Sequence, residues 1–160
     1  MADLLECLVQ IRALGETPAR LRRLAALAPE AAWCRRPGPQ VWAPLEVLAH
    51  LADAELFLAT RLRLVLTGER PTLEVWNQNA LAARSNYLAW PLERTLARFC
   101  QLREANLELL ATCDATDLAR VGVHRTRGPV TVADLVAHAL AHDTAHGGQI
   151  RTRLGLAGPD

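Results

Sequence analysis

A chain of 160 residues, 51% apolar and 22% charged, is long enough to bury its own core and too apolar to stay disordered. Its 18 basic and 17 acidic residues are interspersed and nearly cancel to +1, leaving no field to draw nucleic acid or anionic lipid. Cys7, Cys34, Cys100 and Cys113 lie far apart without C-x-x-C spacing, which points to free thiols and away from a thiolate zinc site or a disulfide framework. The opening "MADLLECLVQIRAL" carries Asp3 and Glu6 and lacks the basic start of a signal peptide, and no apolar run reaches the roughly 18 residues of a membrane span. The expectation is one cytoplasmic domain covering residues 1–160, with no membrane or nucleic-acid partner.

Leu4, Leu5, Leu8, Ile11, Leu14, Leu21, Leu24 and Leu27 recur mostly every three or four residues, so the first helix is amphipathic, and Pro18 is expected to kink or divide it. The run "RRPGPQVW" is a loop. A leucine- and alanine-rich helix follows over about 43–66, with Pro44 tolerated in its first turn. A connection then leads to a short helix near 77–87. Another long helix runs over about 91–112, with Leu92, Leu96, Phe99, Leu102, Leu107 and Leu110 on its apolar face. After a short helical turn and an irregular arm ending at Gly128 and Pro129, Thr131 and Asp134 read as a helix cap. The last helix should start near Val132 and bury Leu135, Val136, Ala139, Ile150 and Leu154, with Gly155 and Gly158 closing the chain. No strand alternation stands out. Four long helices with short extra helices between them predict an all-α four-helix bundle whose connectivity the pattern leaves open.

Three of the five histidines fall in "HALAHDTAHGGQI". At about 100° per residue, His142 and His146 differ by about 40° around the helix, so both imidazoles can converge on one metal ion. His50 sits between Leu48, Ala49 and Leu51, where an unpartnered buried imidazole is costly. It is either a core or outer-stripe histidine or a third ligand delivered across the bundle. His138, one further turn back, is assigned to structure or the pocket wall in preference to a fourth ligand or a group that supports one, and His124 in the arm to solvent in preference to the mouth of the site. Asp53, three residues after His50, is a candidate to orient a ligand imidazole or accept a proton. Glu55 points about 140° from His50 and suits a salt bridge elsewhere, while Asp143 points away from His142. Solvated helix charge is the simplest reading of all three acids. Gly147 and Gly148 cost a helix about 1 kcal/mol each, which suggests close helix approach, room for a ligand, or tolerance in a helix held by packing. Trp42, Trp76, Tyr87 and Trp90 are core residues or line the pocket or a subunit contact.

The combination of Trp42, His50, Asp53 and Glu55 in W-x(7)-H-L-x-D-x-E with "HDTAHGGQI" about ninety residues later resembles the DinB/YfiT-like superfamily of metalloenzymes. The resemblance runs from about residue 18 to the end of the last helix. It implies a four-helix bundle that holds a divalent ion, zinc or nickel, through His50, His142 and His146. It also implies a homodimer, for which the apolar face of the first helix is available. Three neutral imidazoles leave at least one coordination position open, for water or a thiol. The resemblance favours a thiol S-transferase using a low-molecular-weight thiol and a small-molecule substrate. A metal-dependent hydrolase and a metal-binding stress protein without turnover are the alternatives.

Overall fold

The computed structural model describes residues 4–156. In chain order these form α1 (Leu4–Leu27), α2 (Glu30–Trp33), α3 (Pro44–Thr67), β1 (Thr72–Leu73) and α4 (Gln78–Ser85). A 3-10 turn (Tyr87–Ala89), α5 (Leu92–Leu110), α6 (Ala115–Leu118), β2 (Val121–His124), β3 (Gly128–Thr131) and α7 (Val132–Arg153) follow. The long helices α1, α3, α5 and α7 make the expected four-helix bundle. Both α1 and α3 pack against α5 and α7, so α1 and α3 stand across the diagonal.

Local chemistry sets the helix ends. Asp134 N–H donates to Thr131 Oγ1 at 3.0 Å and Thr131 N–H to Asp134 Oδ2 at 2.8 Å, a reciprocal cap that starts α7 where the sequence places it. Pro44 opens α3, and the Glu46 carboxylate accepts the Ala43 N–H at 2.8 Å and the Arg36 guanidinium. Gly158, read as a closing residue, lies outside the described residues.

The apolar interior is two clusters rather than one. Leu14, Leu58, Leu62, Val65, Leu110 and Val136 belong to the first, and Leu21, Leu48, Leu51, Phe99 and Ile150 to the second. Between them on every long helix sits a buried polar residue: Thr17 on α1, Glu55 on α3, Arg103 and Asn106 on α5, and Asp143 on α7. Arg103 is 1% exposed, and all five of its guanidinium hydrogens find acceptors. Nε and Nη2 donate to Glu55 at 2.9 and 2.6 Å, and Nη1 and Nη2 donate to Asp143 at 2.7 and 3.0 Å. The fifth hydrogen goes to the Leu14 carbonyl at 2.8 Å. That carbonyl is free because Pro18, four residues on, has no N–H to give it. Of the two outcomes expected at Pro18, division does not occur: α1 runs through it from Leu4 to Leu27. Thr17 and Asn106 complete the layer by donating to Asp143 at 2.7 Å and Glu55 at 3.1 Å.

Of the apolar residues of α1, Leu4, Leu5, Leu8 and Leu27 are exposed, while the buried stripe runs through Cys7, Leu14, Thr17, Leu21 and Leu24. The arm expected to be irregular contains β2 and β3, which with β1 from the connection after α3 form a small sheet ordered β1-β2-β3, β1 parallel and β3 antiparallel to β2. Gly122 lets this sheet lie on α3, since a Cβ there would stand 2.8 Å from Val65 and 2.9 Å from Leu73. Pro129 is tolerated because β3 is an edge strand.

Candidate metal centre

The polar layer fixes the mutual position of α3 and α7, and each helix carries part of a histidine cluster beside it. His50 comes from α3, with His142 and His146 one turn apart on α7. One ring nitrogen from each lies within 4.8 Å of the others, the only such metal-capable group among the described residues. His50 Nε2 is 3.0 Å from His142 Nε2. Nitrogens held tetrahedrally at about 2.0 Å from a zinc ion stand about 3.3 Å apart, so the His50–His142 spacing is close to that of two ligands on one divalent cation. The ring centroids of His50, His142 and His146 are 4.3–5.0 Å apart.

The protonation states suit the same ligand. Burial first, then His142 and His146, pushes the His50 imidazole down to about 3. Burial and His146 push His142 down to about 4, against an opposing pull from Asp143. Burial also lowers His146. All three are neutral at pH 7, the form a metal requires. His146 donates through Nδ1 to Gln149 Oε1 at 3.0 Å, which leaves its Nε2 lone pair free to coordinate. Gln149 is a functional candidate beyond the histidines, and its spacing in the sequence, one turn after His146, is the signal that marks it. His50 Nδ1 is buried without a hydrogen bond, and the ring is held instead by aromatic neighbours. Trp76 stacks on it at 5.5 Å and Trp42 lies tilted at 5.3 Å.

The other named residues divide cleanly. Asp53 accepts the Tyr87 hydroxyl at 2.5 Å and bonds to none of the histidines. Burial and that bond hold the phenol above its ordinary range, so Tyr87 stays a donor. Trp90 packs edge-on against Tyr87 and takes the Arg98 guanidinium on its face. Glu55 has the salt bridge expected of it, and Asp143 shares it; neither is a solvated charge. His138 lies at the wall of a cavity of about 350 Å³ next to the triad. His124, expected in solvent, is 5% exposed and lines the same cavity, because β2 pairing turns its side chain inward. Added Cβ atoms at Gly147 and Gly148 would meet nothing within 4 Å, so no neighbouring helix approaches closely there.

Comparison with known proteins agrees with this architecture. The sequence profile of the DinB superfamily matches residues 13–150. Two curated relatives from Oceanobacillus iheyensis, each named "putative metal-dependent hydrolase", are 28% identical over 113 residues and 27% identical over 111. These matches take in 71% and 65% of this chain, and the chain spans only 65% and 64% of the length of those relatives. YfiT from Bacillus subtilis, described as "a probable metal-dependent hydrolase with an unusual four-helix bundle topology", superposes with a TM-score of 0.84 at 22% identity. That superposition covers 98% of this chain and 92% of YfiT, and it establishes the likeness of fold. With the profile spanning most of its length, the chain belongs to the DinB superfamily.

Proposed function

We propose that this protein is a metal-dependent enzyme acting on a small molecule, with His50, His142 and His146 as the ligands of a divalent ion, zinc or nickel. The observation that carries the reading is the convergence of three neutral imidazoles from two helices beside a cavity. When bound, such an ion supplies Lewis acidity that brings a water or thiol to its anionic, nucleophilic form near neutral pH.

The residues around the triad have separable tasks. Gln149 fixes the tautomer of His146. Trp76, stacked between His50 and Phe57, shields one side of the site from water. Glu55 and Asp143 are the carboxylates lining the cavity, and both are committed to Arg103. No free carboxylate therefore stands ready as a general base among the cavity residues described. This favours a nucleophile whose ionisation needs no such base, a low-molecular-weight thiol taken as thiolate, and hence S-transfer to an electrophilic substrate. Hydrolysis is the second reading, supported by the names of the curated relatives.

The first test is metal content after purification without chelator. About one divalent ion per chain is expected, with loss in His50→Ala and His146→Ala; full occupancy in either variant rejects the ligand assignment. A screen of metal-loaded protein against several thiols with electrophiles, and against ester and amide substrates, then separates the two reactions. Turnover unchanged in His146→Ala would exclude chemistry at the triad.

A further inference from the structure

The cavity has a second polar end. Phe57, Leu58, Val75 and Trp76 supply apolar lining, while Arg61, His124, Arg127 and His138 also line it, with Arg127 Nη2 3.0 Å from His138 Nε2 and the His138 ring 6.0 Å from that of His142. Among the described residues no carboxylate is bonded to these cations. Glu55 and Asp143 are bonded to Arg103, and Glu74 is held by two hydrogen bonds from Arg125. Arg61 donates from Nη2 to the Glu74 backbone carbonyl at 2.8 Å, and its Nε is buried with no acceptor. A buried guanidinium N–H without a partner is expensive and marks a place where an acceptor is missing.

The two imidazoles differ in role: His124 has a hydrogen to donate, while His138 accepts from Arg127. His124 Nδ1 accepts the Thr126 N–H at 3.3 Å, so its hydrogen is on Nε2. A guanidinium cannot accept, so Arg127 Nη2 donates to His138 Nε2 at 3.0 Å and His138 carries its hydrogen on Nδ1. Burial, then Arg61 and Arg127, lowers the His124 imidazole, and burial with the same two arginines lowers His138. Burial and Arg127 also lower Arg61. Two guanidinium groups set against two imidazoles leave positive potential here that no carboxylate among the described cavity residues neutralises.

We propose that this end of the cavity is an anion subsite, in which Arg61, Arg127 and the His124 N–H bind the carboxylate or phosphate of a small substrate. The substrate's apolar body then lies along Phe57 and Trp76 toward the histidine triad. Assigning the anion to the substrate rests on the metal-dependent reading; anion binding itself does not.

The probes are benzoate, phenylphosphonate and neutral benzamide, titrated by calorimetry into the metal-loaded full chain. At least one anion is expected to bind, about tenfold or more tighter than benzamide, and the preferred one identifies carboxylate or phosphate. Arg61→Gln and Arg127→Gln should each weaken that anion about tenfold while leaving benzamide affinity and metal stoichiometry unchanged. Arg61→Lys, which keeps the charge, should lose less. His146→Ala should retain Arg61-dependent binding, which distinguishes the subsite from an ion that simply takes up the anion. The proposal is overturned if neither anion binds, if benzamide binds as tightly, or if the folded double variant R61Q/R127Q binds the anion like wild type. Arg61-dependent binding in a wild-type chain that takes no metal would sink the metal reading alone, and metal uptake without anion binding would sink the subsite alone.

Discussion

Replacing Arg103 by Met tests the polar layer at its centre. Methionine fills much of the arginine stem, so the substitution mainly removes charge and donors. It strands two carboxylates, Glu55 at 3% and Asp143 at 5% exposure, and leaves the Leu14 carbonyl with no partner. Removing one member of a buried charged set costs about 3–5 kcal/mol, because the remaining charge stays uncompensated. Thr17 and Asn106 still donate to the two acids, which holds the loss within that range rather than above it. Urea denaturation at pH 7 and pH 5 measures the effect. Protonation relieves stranded carboxylates, so the folded variant takes up protons more readily than its unfolded chain and gains relative stability as pH falls. The deficit should therefore be smaller at pH 5 than at pH 7. The triple variant R103M/E55Q/D143N, which removes both negative charges, should recover part of it. A loss below about 1 kcal/mol, a gap equal at both pH values, or no recovery in the triple variant would refute the stranded-charge argument.

Gln149→Leu should weaken metal binding about tenfold, the lower end for loss of a group that orients a ligand imidazole, because its bond to His146 is exposed; a chelator competition titration reads the change. Tyr87→Phe should cost about 1–2 kcal/mol of stability by denying Asp53 its donor, with metal affinity unchanged, so altered metal affinity would return Asp53 to the site. Gly147→Ala and Gly148→Ala should each stabilise α7 by about 0.5–1 kcal/mol, since the added methyl meets no neighbour. Thermal denaturation checks this, and destabilisation would mean that the space beside those glycines is filled.

The bundle was legible because a 3.6-residue period is written into each long helix, and the Thr131–Asp134 cap located α7 to the residue. The histidine cluster was legible only in part from spacing. Two histidines one turn apart must share a face, whereas His50 stayed open between a core histidine and a third ligand until the resemblance to the DinB/YfiT-like superfamily joined it to the pair. The polar layer was harder to read because charged residues on helices are usually solvated. Yet Arg103 and Asn106 lie four and seven residues after Phe99, inside the buried stripe of α5, and a stripe read by period rather than by hydrophobicity would have included them. The sheet escaped notice for a different reason. Strands of two to four residues carry little alternation, and Gly122, Gly128 and Pro129 read as breakers until pairing gives each a place. His124 followed the strand, since its inward orientation comes from pairing across the chain rather than from its neighbours in sequence.

The layer and the triad are best understood together. One guanidinium against two carboxylates leaves a single negative charge in the bundle interior, and Asp143, one of its carriers, directly follows His142. An apolar layer of the same volume would hold the helices at least as well, since buried ion pairs seldom add net stability. What an apolar layer lacks is a field that favours a cation next to three neutral imidazoles. It also lacks the directional bonds that tie α1, α3, α5 and α7 at one height and so set His50 against His142 and His146. Even Pro18 fits this arrangement, because the carbonyl it frees on α1 supplies the fifth acceptor that lets Arg103 be buried without an idle donor. The departures from regular packing in this bundle thus converge on placing charge and geometry at the candidate metal centre.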